Sequence, residues 1–162
     1  MNFGKNNAVI IVIEIIPYES RYQPDFKRMN LEWLDKYGLT ESHDLEILDH
    51  PEETVIAKDG KLFLAKDEEA IIASLGIARV DKDSFELIKM YVDPAYRGRG
   101  IGKRLLELCI AEVKKAGAKK LILFSNSQLT NALTLYKKYG FRHVEVKGTP
   151  LVTADVKMEL SL

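Results

Sequence analysis

Apolar residues recur in this chain with two different periods, and the switches between them mark out its elements. From Ala8 to Ile16 β-branched residues crowd together, which predicts a strand buried on both faces except near Glu14 and ended by Pro17. The period then becomes helical. Phe26, Met29, Asn30, Trp33, Leu34 and Tyr37 share one face between Pro24 and Tyr37, with Asp25 favoured in the first turn and Gly38 as a stop. A shorter helical piece covers Glu41 to Leu48, and Pro51 should break it.

Alternation follows. Asp59-Gly60 is a turn signal opening a strand over Lys61 to Lys66, and Ala70 to Val80 is a second strand, in which Gly76 marks a bulge or a close approach. Asp81-Lys82-Asp83 turns into a third strand, Phe85 to Val92. Leu105, Leu106, Leu108, Cys109, Ile110 and Val113 restore the helical period up to a stop at Gly117. Lys119 to Ser125 predicts another strand. Leu129, Ala132, Leu133 and Tyr136 then line one helix face, and Gly140 ends that helix. Phe141 to Val146 and Ala154 to Leu160 predict a closing hairpin. No linker or repeat divides this order, so residues 1–162 are expected to form one α/β domain.

Charge narrows the partners. Lys plus Arg number 24 and Asp plus Glu number 24, a net charge of zero that argues against a general nucleic-acid or membrane-surface binder. The apolar run Ala8 to Ile13 is too short to cross a bilayer and lacks the flanks of a signal peptide, so a soluble cytoplasmic protein is expected. Cys109, the single cysteine, sits among core positions of a helix and reads as a small apolar residue rather than a nucleophile. His43, His50 and His143 are scattered, so no metal is expected. Lys114-Lys115 and Lys119-Lys120 raise RNA association as a minor reading, but Glu107 and Glu112 balance them and a solvated helix end explains them.

Candidate chemistry centres on Arg97-Gly98-Arg99-Gly100-Ile101-Gly102, between the strand that closes on Asp93-Pro94 and the helix led by Lys103-Arg104-Leu105-Leu106. A glycine turn feeding a helix N-terminus converges backbone N–H groups and the helix dipole on one point, which favours a phosphate. It is not a Walker loop, because Gly102-Lys103 is followed by Arg104 and the metal-binding hydroxyl is missing. Nor does it fit the dinucleotide fingerprint, since Gly98 and Gly100 meet Lys103 where the third glycine belongs. Arg-x-x-Gly-x-Gly, read as Arg97, Gly100 and Gly102, does fit. In this setting, and with Ala132-Leu133-Thr134-Leu135-Tyr136 running into Gly140-Phe141, it resembles the acetyl-CoA loop and the tyrosine helix of the GNAT family of N-acetyltransferases.

The resemblance covers about Phe85 to His143, within a motif-bearing core of about residues 60–147, and it leaves the first sixty residues without family-specific signals. It implies the GNAT-type fold, a mixed and mostly antiparallel sheet of about seven strands with helices on both faces. It implies an acetyl-CoA-dependent transfer to a primary amine of a small molecule or peptide, with a homodimer through an exposed strand edge as one assembly. A non-catalytic acyl-CoA-binding or protein-interaction module on the same fold is the alternative. The strands ending at Val92 and Ser125 should splay to admit the pantetheine arm. Backbone groups of Met90, Tyr91 and Val92, exposed by a bulge, would meet the pantetheine and the thioester oxygen. The amides of Arg97, Gly98, Arg99, Gly100, Ile101 and Gly102 would hold the pyrophosphate, extended by Lys103 and Arg104.

Tyr136 would be the general acid toward the thiolate, as a phenol of pKa near ~10 allows, with Tyr139 as stand-in. Many members carry an asparagine where this chain has Leu129, and Asn126 or Asn131 must substitute, Asn126 being preferred. Glu86 alternates with Ile88, Met90 and Val92, and on that apolar face desolvation would raise its pKa toward that of a general base. A water, or pairing of Glu86 with Lys89 or Arg79, is the other reading. Tyr18, Arg21, Tyr22, Phe26, Trp33 and the stretch His143 to Thr149 are candidates for acceptor recognition.

Overall fold

Three strands in the middle of the chain form the expected meander: β2 (Lys61–Asp67), β3 (Ala70–Arg79) and β4 (Ser84–Val92). The structure, a computed structural model, describes residues 12–147, 149 and 151–162. Among these residues one sheet forms in the order β1-β2-β3-β4-β5-β7-β6, with β1 at Ile13–Pro17, β5 at Lys120–Ser125, β6 at Arg142–Val144 and β7 at Val156–Ser161. Only β4 and β5 run parallel, which requires a crossover, and α4 (Ile101–Lys115) provides it. The remaining helices are α1 (Gln23–Lys36), α2 (Ser42–Asp49), the short α3 (Pro51–Thr54) and α5 (Thr130–Lys138).

Helices cover both faces of the sheet. On one, Ile101, Leu105, Leu106, Cys109 and Val113 of α4 and Tyr136 of α5 pack on Leu75, Ile77, Phe85, Leu87, Leu121 and Met158. On the other, Phe26, Met29 and Leu34 of α1 with Ile47 and Leu48 of α2 pack on Leu62, Leu64, Ile71 and Tyr91. Alternation along the strands sends neighbouring side chains to opposite cores.

The first strand differs from expectation. Positions 8–11 lie outside the described residues, and β1 is an edge strand paired only with β2, half-exposed rather than buried on both faces. Pro17 closes β1 opposite Phe63, an edge position where a missing donor costs little. Pro51 does not merely end a helix. It occupies the first turn of α3, where its lost N–H would have had no partner. The closing strands are shorter than expected, with β6 confined to three residues.

One irregularity governs the middle of the sheet. Ser74 pairs with Tyr91 but Gly76 pairs with Ile88, so Leu75 faces two residues of β4, Lys89 and Met90. Lys89 adopts φ +49, and its carbonyl accepts the Ser74 hydroxyl at 2.7 Å. This is a bulge, and Gly76 is the close approach beside it. A Cβ on Gly76 would stand 2.5 Å from Ile88 Cγ1 and 3.0 Å from the Ile88 carbonyl oxygen. Gly76→Ala should therefore cost about 1–3 kcal/mol, by the usual cost of overpacking. Urea denaturation measures it, and an unchanged midpoint would show that β3 and β4 are not so tightly opposed there.

Candidate active site

The sheet splits just before the bulge. β4 and β5 pair only over Ser84–Glu86 and Lys120–Ile122, and past these residues neither strand has the other as partner. The gap becomes a cleft of about 590 Å³ that passes from one face of the sheet to the other. From the α4 and α5 face it is lined by Met90, Val92, Ile101, Leu135 and Tyr136. From the α1 and α2 face it is lined by Trp33, Tyr37, Leu39, Ile47 and Tyr91.

At the first of these mouths sits the glycine loop. Asp93 accepts the Ala95 amide at 2.9 Å and starts a short turn over Pro94–Tyr96. Gly98 (φ +77) and Gly100 (φ +75) then adopt left-handed backbone that residues with a Cβ rarely take, and Gly100 caps α4. The first helical bond after the cap runs from the Arg104 amide to the Gly100 carbonyl at 3.0 Å. That leaves the amides of Ile101, Gly102 and Lys103 as the open donors of the first turn, and all three residues line the cleft together with Arg97, Gly98 and Gly100. Gly102 has ordinary helical backbone, and a Cβ there would touch Leu135 and Val92 at 3.7 and 3.9 Å. Arg99 and Arg104 turn elsewhere. Arg99 lies over the Tyr96 ring at 5.1 Å and does not line the cleft, and Arg104 donates to the Ile13 carbonyl at 3.1 Å.

The bulge decides where Glu86 points. Phe85 and Leu87 pack toward α4, as do Met90 and Val92, while Ile88 and Tyr91 pack toward α1. One extra residue has reversed the alternation, so Glu86 shares the face of Ile88 and Tyr91, not that of Met90 and Val92 as a regular strand would have it. Glu86 is half-buried on the cleft wall. Burial lifts its carboxyl to about 7, against the opposing pull of the Lys89 and Lys157 charges, and no hydrogen bond contributes. The pairing with Lys89 or Arg79 does not occur. The Lys89 ammonium is ion-paired to Asp44 of α2, with side chains only 9% and 4% exposed, and Arg79 stacks on Phe85 at 5.0 Å.

A polar network fixes this arrangement. Asn30, fully buried in α1, donates to the Phe26 carbonyl at 3.0 Å and to Ser74 Oγ at 3.1 Å, and accepts from Trp33 Nε1 at 3.3 Å. Asp44 also accepts the Glu41 amide at 2.9 Å in the capping box of α2. The Glu41 carboxylate in turn accepts the Val152 and Thr153 amides at 2.7 and 3.1 Å. The loop before β7 is thereby tied over the cleft, which Leu151 and Thr153 help to line.

Tyr136 is buried on the cleft wall with its ring against Phe141, 5.7 Å between centroids. Burial, with a smaller push from Cys109, raises its phenol well above the ordinary value. Tyr139 is elsewhere, donating to Glu107 at 2.6 Å. Asn126 borders the cleft with its amide already committed: Nδ2 donates to the Thr153 carbonyl at 2.8 Å and Oδ1 accepts the Gln128 amide at 3.0 Å. Asn131 also lines the cleft and is exposed. Of the acceptor candidates among the described residues only Trp33 lines the cleft. Tyr18, Tyr22 and Phe26 belong to the core, Arg21 is exposed beside Glu19, and Leu151 and Thr153 line the cleft where the described part of the stretch His143 to Thr149 does not. Tyr37, Leu39 and His43 escaped the sequence reading because their helical or loop positions carry no chemical signature. Cys109 is fully buried off the cleft, and burial pushes its thiol up to about 12. Among the described residues no group of three or more His, Cys, Asp or Glu could hold a metal, and no helix is long and apolar enough to cross a membrane.

The model of the acetyltransferase (GNAT) family matches residues 24–141. The chain belongs to the GNAT family. An Escherichia coli K12 protein described as the uncharacterized N-acetyltransferase YjgM is 29% identical over 132 residues, 76% of this chain and 79% of its own. The ribosomal protein bS18-alanine N-acetyltransferase of the same organism is 29% identical over 106 residues, 64% of this chain and 72% of its own. A GNAT acetyltransferase structure from Staphylococcus aureus Mu50 superposes with a TM-score of 0.84 at 24% identity, covering 93% of this chain and 99% of the other. The PaiA N-acetyltransferase of Thermoplasma acidophilum, solved in complex with coenzyme A, gives 0.73 at 19% identity over 94% and 100% of the two chains. The seven-stranded sheet with helices on both faces is thus the GNAT fold, and the reaction class is acetyl transfer.

Two outcomes follow for this GNAT acetyltransferase. Asp44→Ala leaves the Lys89 ammonium buried and unpaired, and should cost about 3–5 kcal/mol. Denaturation should show most of that loss recovered in Asp44→Leu/Lys89→Met, and no recovery would mean that the charge was not the cause. For Glu86, the native carboxyl keeps its proton to about pH 7 while the ordinary value is 4.5, so stability falls as pH rises from one to the other and stays reduced above. Glu86→Gln should raise Tm at pH 8 and change it little at pH 4. The same difference at both pH values would contradict a raised carboxyl.

Proposed function

We propose that this GNAT acetyltransferase moves the acetyl group of acetyl-CoA directly onto a primary amine, with both molecules in the cleft at once. The observation that carries the reading is the through-sheet cleft itself, with open amide donors at one mouth and a half-buried, unpaired carboxylate facing the other. The donor chemistry fits the coenzyme. The first-turn amides of α4, the cationic Arg97 and Lys103 beside them, and the free edge of β4 suit a pyrophosphate followed by a narrow amide-bearing arm. Bound there, acetyl-CoA would supply a thioester, an acetyl group already activated toward an amine.

The chain's own residues then have separate tasks. The amides of Ile101, Gly102 and Lys103 bind and orient the phosphates. Backbone groups of Met90, Tyr91 and Val92, on the edge that β5 leaves free, position the thioester and polarise its oxygen. Glu86, on the acceptor face, takes the proton released as the amine nitrogen forms its bond to the acetyl carbon. Tyr136 gives its hydroxyl proton to the sulfur as the carbon–sulfur bond breaks, and recovers one from solvent. A phenol is protonated at neutral pH, as a donor must be, while burial makes Tyr136 a weaker acid until negative charge develops on the sulfur beside it. With Cys109 buried off the cleft and its thiol protonated, no thiol in the cleft offers a nucleophile for an acetyl-enzyme. Residence in the cytoplasm, where acetyl-CoA is made, belongs to the same proposal.

Acetyl-CoA is expected to raise Tm, and Gly100→Glu, which strains the left-handed cap and sets a carboxylate against the phosphates, to abolish the rise. No shift with the parent chain would remove the coenzyme. Coenzyme binding without thiol release from any amine would make the chain a binding module. Tyr136→Phe should lower kcat about 100–10,000-fold, the range of general acid catalysis, and leave KM for acetyl-CoA nearly unchanged. Unaltered kcat would remove Tyr136 as the acid.

A further inference from the structure

The acceptor half of the cleft has a composition that selects among amines. Its walls on the α1 and α2 face are Trp33, Leu34, Tyr37, Leu39, Ile47 and Tyr91, aromatic and branched apolar residues. Trp33 stacks on Tyr91, 6.1 Å between centroids and 13° from parallel, and its Nε1 is bonded to Asn30. The two rings form a nearly parallel apolar surface, bordered by His43, Asp44 and Lys89 of the lining.

Charge in the cleft is sparse on this side. Among the described residues two carboxylates line the cleft, Asp44 and Glu86. Asp44 is neutralised by Lys89 and carries the cap of α2. Glu41, above it, is occupied by the Val152 and Thr153 amides and does not line the cleft. Glu32 and Asp93 influence Tyr91 but lie outside the lining. A single carboxylate, Glu86, is therefore available to an incoming ammonium. Of the cations that line the cleft, Arg97 and Lys103 stand at the mouth where α4 begins and Lys89 is committed to Asp44, while Lys157 of β7 acts on Glu86 from outside the lining. An acceptor with a second or third ammonium would have to bury it among aromatic rings with no counter-charge, and an isolated charge in apolar surroundings costs several kcal/mol.

We infer that the acceptor is a primary monoamine carried on an aromatic or branched apolar body of arylalkyl size, its ring on the Trp33 and Tyr91 wall and its nitrogen directed at Glu86. This rests on the reading of the cleft as an acetyl-CoA-dependent active site. Polyamines and aminoglycosides are excluded by the absence of further free carboxylates. A short hydrophilic amine, such as that of a free amino acid, is disfavoured because it would leave the apolar wall in contact with water.

Trp33 is the only tryptophan of the chain, so its emission reports on this wall directly. The full chain with coenzyme A is titrated with phenethylamine and with spermidine while tryptophan emission is followed, and thiol release from acetyl-CoA is measured with each amine. Phenethylamine should shift the emission to saturation and be turned over with kcat/KM at least tenfold above spermidine. Tyr37→Ala should raise KM for phenethylamine several-fold and leave KM for acetyl-CoA unchanged. Equal or better turnover of spermidine or of an aminoglycoside would overturn the inference and leave the acetyltransferase reading intact. So would an acetyl-CoA thermal shift combined with emission that neither amine moves. Absence of that thermal shift would overturn the reading beneath it.

Discussion

Ser74 has no exposed surface, and its hydroxyl is held between the Asn30 amide of α1 and the Lys89 carbonyl of β4. That pair of hydrogen bonds pins the bulge on which the active site depends. The bulge reverses side-chain alternation within β4, which sends Met90 and Val92 to the α4 core and leaves Glu86 and Tyr91 facing α1. From Leu87 onward the strand no longer pairs with β5, so the sheet is already open where the bulge falls. A regular β4 would place Glu86 and the residues that line the coenzyme half on one side. The irregular one puts Glu86 and Tyr136 on opposite faces of the sheet, as the proposed division between base and acid requires.

The same residue that bulges also anchors. Lys89 takes a left-handed backbone conformation, unusual for a residue with a long side chain, and its ammonium is committed to Asp44 inside the protein. A buried ion pair is a poor source of net stability but a demanding one geometrically, since neither partner tolerates the other's absence. Here it couples α2, its capping box and, through Glu41, the loop before β7 to the irregular strand. The cleft wall on the α1 and α2 face is thus held by polar contacts at its back and presents apolar rings at its front. Electrostatics follows the division. Cations and open amides gather at the mouth where α4 begins, and one carboxylate without a protein partner faces the other.

Much of the fold was legible in the chain because its signals are local. The meander announced itself through alternation and Asp-Gly, α4 and α5 through helical spacing, and the phosphate loop through glycines whose left-handed backbone at Gly98 and Gly100 is now plain. The resemblance to the GNAT family carried the splayed strands and Tyr136. What stayed hidden depends on contacts distant in sequence. Nothing local marks Lys89 for a partner 45 residues away, yet that pairing is what leaves Glu86 free. The alternation puts Glu86 with Met90 in an ideal strand, and the bulge that the resemblance implied near the end of β4, opposite Ser74 and Gly76 on another strand, moves Glu86 to the other face. Asn126 reads from sequence as either a ligand contact or a cap, and its bonds to Gln128 and Thr153 show its amide engaged within the fold. The edge exposure of β1 is likewise a property of sheet order, not of the apolar run.

Two ligands entering by opposite mouths and meeting at the split between β4 and β5 is the central claim. Initial rates with acetyl-CoA and an accepted amine varied together test it most directly. Direct transfer within a ternary complex predicts reciprocal plots that intersect. Parallel lines would mean an acetylated enzyme, which direct transfer does not pass through and which Cys109, buried in α4 off the cleft, could not form.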